Sequence, residues 1–432
     1  MVNLYFGNGL LNHPPYMRDR VGILLDDENN IIEGPTNWLI SLAQLRSRSF
    51  ETTRNYANIL QRFLQWLDDT PVVEGHACIG AHNWQVVDEE ILYAYLESIS
   101  RPSLKCPHGP SFRTLQHYTY RIWRFYNWAA KNGYEHYLEL DSSDIDIFIP
   151  NQRLLSHINP SKSVEVLNFN VPTGGQAIHE REVQKFVIQS DYEIALEMIE
   201  DVVYKVIAAI IRITALRPKD LLQIPYRGTG INKEFIPYDH DALPSNIDET
   251  SIFYEFESKG KRRSIDFPGK LWRVICELYI PLRRQRAELY EKRHGVPPRN
   301  SELFLTSKGV PVTYSMLSYT FRNLVPTIKA SDRGSEYHGN CFSARMLRHT
   351  CATYFVYEAL AKQNRLGRHF VYDAALDEDL RRLMGHNDVE TTLKYYVHLV
   401  NRFVTDNLLS ELHRSRVDHG LSAILEKHSY FE

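Results

Sequence analysis

The apolar residues between positions 50 and 135 recur at the three- and four-residue spacing of amphipathic helices. The first predicted helix follows the N-cap candidates Thr52 and Thr53. Its predicted buried face consists of Tyr56, Ile59, Leu60, Phe63, Leu64 and Leu67. A helix with one continuous apolar face needs a partner to cover it, so the pattern predicts a helical bundle rather than an isolated helix.

Two further helices complete this predicted bundle. The second starts near Asp88 and the third follows Ser111, and Gly133 stands where the third helix should end, because glycine is favoured just past a helix C-terminus. The predicted inward residues are Ile91, Leu92, Tyr95, Leu96 and Ile99 in the second helix and Leu115, Tyr118, Ile122, Phe125 and Ala129 in the third. The outer faces carry basic residues that are candidates for phosphate contacts, namely Arg54, Arg62, Arg113, Arg121 and Arg124.

The second half of the chain has a different pattern. Residues 150–177 contain Asn, Ser, Pro and a Gly-Gly pair with little periodicity, which predicts an interdomain linker. The domain that follows is mainly helical, except that polar and apolar residues alternate over Ile252–Phe267 on both sides of a Lys259-Gly260 turn. This alternation predicts a β-hairpin with a lysine at its tip.

The sequence therefore predicts a mainly α (α+β) protein. The predicted order is an N-terminal extension (1–36), a helical core-binding domain (37–149), the linker (150–177), a mixed, mostly helical catalytic domain with a small hairpin (178–410) and a C-terminal tail helix (411–432).

Composition narrows the class of protein. The 432 residues are 43% hydrophobic and 24% charged, which is ordinary for a globular protein, and the length suits two domains. Five scattered cysteines do not predict a disulfide framework, so we expect a reducing, intracellular setting. We expect no secretory signal, and Val202–Leu216 is too short and too often interrupted by polar residues to span a bilayer.

Charge is segregated along the chain. The net charge of −3 argues mildly against a protein whose whole surface meets nucleic acid, but local clusters determine affinity for phosphate. Residues 259–263 read KGKRR, which makes Lys261 and Arg263 candidate DNA contacts. No metal or other cofactor is expected, because the pairs His76/Cys78 and Cys106/His108 have only one intervening residue each, unlike zinc ligands.

Four segments of the second domain carry candidate chemistry. They are TALRPKDLLQI (Thr214–Ile224), ESKGKRRSIDFP (Glu257–Pro268), SARMLRHTCAT (Ser343–Thr353) and LMGHNDVETTLKYYVH (Leu383–His398). Taken singly, each has an ordinary structural explanation, such as a helix cap, a charge that protects a hairpin edge or a packing residue. The combination is more specific than any one of them.

In this order and at these separations the segments resemble the tyrosine recombinases, the phage integrase family of site-specific recombinases. The two arginines of the family's T-G-L-R-x-x-E/D and H-x-L-R-H-T motifs match Arg217 and Arg348. The family's hairpin lysine, in a K-G-x-K-x-R context, matches Lys259. Its G-H pair and its T-T-x-x-Y segment match His386 and Tyr395, nine residues apart.

The resemblance implies metal-independent cleavage and rejoining of DNA by transesterification. Tyr395 would attack the phosphorus and leave a 3′-phosphotyrosine with a free 5′-hydroxyl, which conserves the bond energy for rejoining. Lys259, with Lys261 as the alternative, would protonate the leaving oxygen, and His386 would orient a phosphate oxygen or the tyrosine.

Physical chemistry gives the two arginines a compatible role. Cleavage of a phosphodiester requires neutralisation of charge on two non-bridging oxygens in a pentavalent transition state. Planar guanidinium groups do this with paired, charge-assisted hydrogen bonds, so Arg217 and Arg348 are the candidates.

Two positions leave alternatives open. The family usually carries His where this chain has Arg345, and an arginine does not accept a proton, so Arg345 would hold phosphate oxygens or lower the pKa of the tyrosine instead. Proton removal would then fall to water or to a neighbour such as His349 or His386. Tyr396 competes with Tyr395, because adjacent helical side chains point about 100° apart and only one can face the phosphate.

The resemblance also implies partners. These are double-stranded DNA with a specific recombination site, and copies of the same chain that form a tetramer on DNA from monomers in solution, with accessory proteins left open. No membrane partner is expected, and the expected location is the cytoplasm, with the nucleoid of a bacterial-type cell. A type IB topoisomerase, a DNA-binding relative without catalysis and a helical scaffold are the alternatives.

Overall fold

The computed structural model describes residues 1–7, 21–45, 50–71, 78–102, 109–148, 161–172, 186–258, 260–366 and 373–385, with Leu393, Tyr396, Val397 and Val400. Side chains are described in these ranges except at 144–148, 161–166 and 240. The chain divides into two compact units, Met1–Ile178 and His179–Glu432.

The first unit is a helical bundle with two small hairpins. Its helices are α1 (Glu33–Gln44), α2 (Phe50–Asp69), α3 (Glu89–Ser100) and α4 (Phe112–Lys131), with a 3-10 segment at Ala81–Val86. Its strands are β1 (Asn3–Gly7) paired with β2 (Val21–Leu25) and β3 (Ser142–Phe148) paired with β4 (Ser161–Leu167), both antiparallel.

The helical pattern of this unit is confirmed, with one correction at a helix start. Every predicted core residue of α2 is buried, and α3 and α4 begin at their predicted caps. The N-cap candidates Thr52 and Thr53 are wrong, since α2 begins at Phe50 and both threonines lie inside it. At this start the Phe50 ring packs edge-on against Phe6, with ring centroids 5.4 Å apart.

Both hairpins of the first unit lie where the sequence indicated no regular structure. The strand β4 falls inside the predicted linker, and β1 and β2 fall inside the predicted N-terminal extension. That extension contributes to the core of the bundle, since Val2, Leu24 and Ile32 are buried in the same apolar cluster as α2. Residues 1–36 therefore form part of the first unit.

The second unit is mostly helical around a buried cluster that contains Trp272 and Tyr279. Its helices are α5 (Gln189–Met198), α6 (Val202–Thr214), α7 (Pro218–Leu221), α8 (Gly269–Leu278), α9 (Ile280–His294), α10 (Tyr314–Lys329), α11 (Ala344–Lys362) and α12 (Ala374–Met384). Its strands are β5 (Ser251–Ser258) and β6 (Lys261–Pro268). The predicted mainly α class is thus confirmed. The TALRPKD segment lies at the end of α6 and continues into α7, the SARMLRHT segment lies at the start of α11, and residues 260–263 lie at the start of the second hairpin strand.

The predicted hairpin is confirmed, and the structure adds its register. Ile252 pairs with Phe267 and Tyr254 with Ile265, so the alternating apolar side chains share one face. Gly260 has φ +72°, a left-handed conformation that suits a tight turn. No helix in the described part of the chain combines the length and the apolarity that crossing a bilayer requires.

Candidate active site

Arg217 lies in the short connection between α6 and α7. Pro218 occupies the first helical position of α7, as predicted, and Ala215 just before it has φ +51°. Glycine adopts this left-handed conformation without strain. In the T-G-L-R motif that this segment resembles, glycine stands at the position of Ala215. The turn directs the Arg217 guanidinium toward the hairpin and toward the end of α12.

The contacts of Arg217 reach three segments. Nη1 donates to Ser258 Oγ at 3.3 Å and lies 3.6 Å from Asp220 Oδ2, and Nη2 donates to the Gly385 carbonyl at 3.0 Å. Ser258 Oγ in turn donates to Asp220 Oδ2 at 3.0 Å. Asp220 is buried, so one carboxylate orients both the arginine and the strand that precedes the hairpin tip.

Gln223 fixes the same strand a second time. Its amide donates to the Glu257 carbonyl at 2.9 Å and accepts from the Glu257 amide at 3.2 Å. The hydroxyl of Tyr254 donates to the Asp220 carbonyl at 2.7 Å. These bonds join strand β5 to residues 220–223, which follow Arg217, and so fix the position of Ser258 relative to Arg217.

Arg348 approaches from α11 and is 7% exposed. Its guanidinium donates to the carbonyls of Ala215 and Met384, the last residue of α12. Burial, together with the positive charge of Arg217, lowers the pKa of Arg348 to about 10. Arg217 and Arg348 therefore converge on adjacent carbonyls, those of Gly385 and Met384.

Arg263 of β6 reaches the same end of α12. Its Nη2 donates to the Arg382 carbonyl at 3.3 Å. A Cβ on Gly385 would lie 1.6 Å from Arg263 Nη1, so glycine at 385 is what leaves space for this guanidinium. Burial and then the charge of Arg217 lower the pKa of Arg263, and Asp220 opposes them.

Arg345 and His349 lie one turn apart on α11. Arg345 is exposed, and its Nε donates to His349 Nε2 at 3.4 Å. His349 Nδ1 is 2.6 Å from the hydroxyl of Tyr396, which is 1% exposed. Since Arg345 can only donate, His349 Nε2 is the acceptor and Nδ1 carries the proton that is donated to the Tyr396 oxygen.

Three predicted site residues, Lys259, His386 and Tyr395, lie outside the described residues. At least one sequence neighbour of each is described, including Ser258 before Lys259, Gly385 before His386 and Tyr396 after Tyr395. Two of these neighbours bond Arg217, and the third bonds the residue that follows Arg348.

The predicted DNA contacts fall in both units. In the first unit, Arg62 donates to the Tyr118 hydroxyl at 3.1 Å, and Arg121 lies with Cζ 4.0 Å from the centroid of the Tyr56 ring. Arg124 donates to the Tyr56 hydroxyl at 3.5 Å, so these three arginines lie along the contact between α2 and α4.

Arg54 and Arg113 are exposed on the same two helices. In the second unit, Lys261 is exposed at the start of β6.

Within the described ranges no three His, Cys, Asp or Glu side chains are grouped to hold a metal ion.

The sequence did not indicate three features of the candidate site. Ser258 and the pairing of His349 with Tyr396 had no motif to mark them, and Arg263 was assigned only to general DNA contact. The KGKRR run contained the signal for Arg263, because alternation along a strand places Lys261 and Arg263 on one face and Arg262 on the other.

Comparisons with known proteins give matches among solved structures only. Neither a family model nor a curated protein sequence matches the chain. A post-cleavage complex of the XerH site-specific recombinase with its palindromic difH substrate matches at 15% identity and a TM-score of 0.46, covering 87% of this chain and 84% of that one. A pre-cleavage XerH–difH complex matches at 15% identity and 0.44, covering 88% and 85%.

The integrase of transposon Tn1549, in complex with a circular intermediate DNA, also matches. Its identity is 15% and its TM-score 0.42, with 87% of this chain and 98% of that one covered. This chain is similar in structure to these site-specific recombinases and to this integrase.

Proposed function

We propose that the protein is a site-specific DNA recombinase that cleaves and rejoins strands through a 3′-phosphotyrosyl intermediate. One observation carries the proposal. Arg217 and Arg348, from segments more than a hundred residues apart, converge on the neighbouring carbonyls of Gly385 and Met384, which are the glycine of the predicted Gly-His pair and the residue before it. Two guanidinium groups held this close can bind two non-bridging oxygens of one phosphate.

The proposed chemistry is a transesterification at phosphorus. The hydroxyl of Tyr395 loses its proton, its oxygen bonds to phosphorus, and the bond from phosphorus to the 5′ oxygen breaks. Lys259, which follows Ser258 at the hairpin tip, gives a proton to that leaving oxygen, with Lys261 as the alternative acid. His386 orients a phosphate oxygen or the tyrosine. The free 5′-hydroxyl of a second strand reverses the steps and releases the enzyme.

Arg345 has a different role from the histidine that the family usually carries at this position. Its bond to His349 Nε2 supports a role in fixing the tautomer of that imidazole, with its charge at the rim of the site. Proton removal from Tyr395 is then assigned to water or to His386.

The proposed partner is a double-stranded recombination site. The arginines along α2 and α4 supply phosphate contacts that fix register on the duplex, and Lys261 adds one from the second unit. Exchange of both strands of two sites requires four cleavages, so four copies assemble on DNA, in the cytoplasm where that DNA lies. A catalytically silent DNA-binding protein is the second candidate, because Arg345 stands where the family has a base.

Covalent trapping tests the proposal. Wild-type protein and the Tyr395→Phe variant are incubated without metal on nicked suicide substrates that carry candidate sites, then run on denaturing gels. A shifted band in wild type that is absent in the variant supports the recombinase. Binding without an adduct on every substrate, under conditions where a known recombinase is trapped, favours the silent binder.

A further inference from the structure

The second unit gathers three guanidinium groups around one carboxylate. Arg217, Arg348 and Arg263 donate to the carbonyls of Gly385, Met384 and Arg382, which are successive or nearly successive residues at the end of α12. Among the described residues, only Asp220 lies within ion-pair distance of any of the three, and it pairs with Arg217. Within the part of the chain that the structure describes, Arg263 and Arg348 thus form no ion pair with a carboxylate, although the charge of Asp220 acts on both.

Arg263 is held in place from both sides. On the hairpin, Phe256 is its direct cross-strand partner, and the Phe256 ring centroid lies 5.8 Å from Arg263 Cζ. On the other side it fills the space that a side chain at Gly385 would occupy. Its neighbour Arg262 has the opposite orientation, with a side chain that is 83% exposed and lies 3.8 Å from Glu255.

We propose that Arg263 is a third phosphate-binding residue of this site, which contacts a non-bridging oxygen of the scissile phosphate together with Arg217 and Arg348. The proposal rests on the proposed function and names a residue for which the family motifs assign no such role. Two guanidinium groups that form no ion pair among the described residues can neutralise the two negative charges of the pentavalent transition state.

The mutual effects of the arginines agree with an anion as the missing component. Each of Arg263 and Arg348 has a pKa lowered by burial and by the charge of Arg217. A phosphate placed among the three arginines would instead raise the pKa of Arg263 and Arg348, because a negative charge stabilises the protonated guanidinium groups. Arg263 also supplies a cation inside the cluster, whereas Arg345, at the position of the family histidine, is exposed and bonded to His349.

The matched pair Arg263→Ala and Arg262→Ala tests this. Both remove one positive charge from the same strand, so both lower general affinity for DNA about equally. Single-turnover adduct formation is expected to fall about 100-fold or more in Arg263→Ala and less than about threefold in Arg262→Ala. Arg263→Lys keeps the charge without the paired donors, and an intermediate rate is expected.

A chemical substitution in the DNA separates contact from support of the fold. With a methylphosphonate at the scissile position, one negative oxygen is replaced by a neutral methyl group. Arg263→Ala is then expected to approach the wild-type rate, whereas Arg217→Ala and Arg348→Ala report which oxygen each arginine serves. The proposal is overturned if Arg263→Ala lowers the rate of adduct formation by the same factor on both substrates. It is also overturned if Arg263→Ala and Arg262→Ala lower that rate equally.

Inorganic phosphate gives a measurement that does not depend on cleavage. The shift in unfolding temperature with phosphate, at ionic strength matched with chloride, is expected to shrink at least severalfold in Arg263→Ala and to persist in Arg262→Ala. If wild type forms adducts but the two variants behave alike, Arg263 has no such role while the recombinase stands. If no adduct forms anywhere but phosphate binding needs Arg263, the anion site stands and the recombinase fails.

Discussion

The imidazole of His349 and the hydroxyl of Tyr396 are joined by a hydrogen bond of 2.6 Å between Nδ1 and the phenolic oxygen. Tyr396 is buried in the cluster that contains Val356 and Leu380, and it immediately follows the predicted nucleophile. A tyrosine held this way is turned away from solvent. The bond therefore bears directly on which of the two adjacent tyrosines attacks DNA.

We predict that Tyr396→Phe keeps adduct formation within about tenfold of wild type and that Tyr395→Phe abolishes it. The Tyr396 variant should lose about 1 kcal/mol of unfolding free energy, because a buried hydrogen bond disappears and the His349 donor is left without its partner. Trapping gels and urea unfolding give the two quantities. An adduct that survives Tyr395→Phe and disappears in Tyr396→Phe would reverse the assignment.

Arg348→Lys should lower the cleavage rate about 100- to 1,000-fold while preserving charge. Lysine has no planar fork, so it cannot satisfy the Ala215 and Met384 carbonyls while also binding a phosphate oxygen. Lys362→Arg is the control, since that side chain is exposed at the other end of the same helix and the change also preserves charge. Single-turnover rates measure the difference, and similar rates for the two variants would contradict a phosphate contact at Arg348.

Arg345→His should introduce a new step in the pH dependence of cleavage. An imidazole at this position titrates near pH 6.5 if unperturbed, and it accepts a proton only in its neutral form. The variant rate should therefore fall as pH drops through that range, relative to wild type, in which position 345 keeps its charge throughout. Rate profiles from pH 5.5 to 8.5 measure this, and parallel profiles would show that position 345 takes no part in proton transfer.

Lys205→Met should stabilise the protein at neutral pH. Lys205 is 1% exposed, and burial lowers its pKa from 10.5 to about 8, against the opposing charge of Glu197. A shift of this size corresponds to a cost of about 3 kcal/mol when the amine is charged in the folded state. Part of this cost, on the order of 1–3 kcal/mol, should appear as added unfolding free energy in the variant.

The size of the Lys205 effect also depends on pH. Between about pH 8 and 10.5 the unfolded chain binds the lysine proton and the folded chain does not, so wild-type stability from this group rises with pH. The advantage of Lys205→Met should shrink across that range. Urea titrations of both proteins at pH 7, 8.5 and 10 give the comparison, and a constant difference would show that packing causes the effect.

Local signals in the sequence were sufficient for much of the fold. The buried face of α2 and the alternating apolar positions of β5 and β6 follow from periodicities of 3.6 and 2 residues, and Pro218 predicted the start of α7. What periodicity does not contain is contact between distant segments. Phe50 at the start of α2 packs against Phe6 of β1, and Val2 beside that strand is buried in a core that is formed mostly by helices.

The same distinction applies to the site. The order of the motifs predicted that Arg217 and Arg348 belong to the site. In the fold the two side chains converge, because they donate to the adjacent carbonyls of Gly385 and Met384. The partnership of His349 with Tyr396 spans 47 residues, and that of Arg263 with Arg382 spans 119, and neither spacing has a sequence signature. Such pairs become visible only when the chain is folded.

The end of α12 has a consequence for how DNA would enter this site. A helix C-terminus carries about half a unit of negative charge, which offsets the repulsion among three guanidinium groups that share it. The arginines are therefore kept close together, with restricted rotamers, before any phosphate arrives. Immobilising a free arginine costs up to about 2 kcal/mol of side-chain entropy, and here folding has already restricted that freedom. A phosphate that binds here therefore meets guanidinium groups that are already in place. To bind them it must replace the carbonyls at the end of α12 as their hydrogen-bond acceptors.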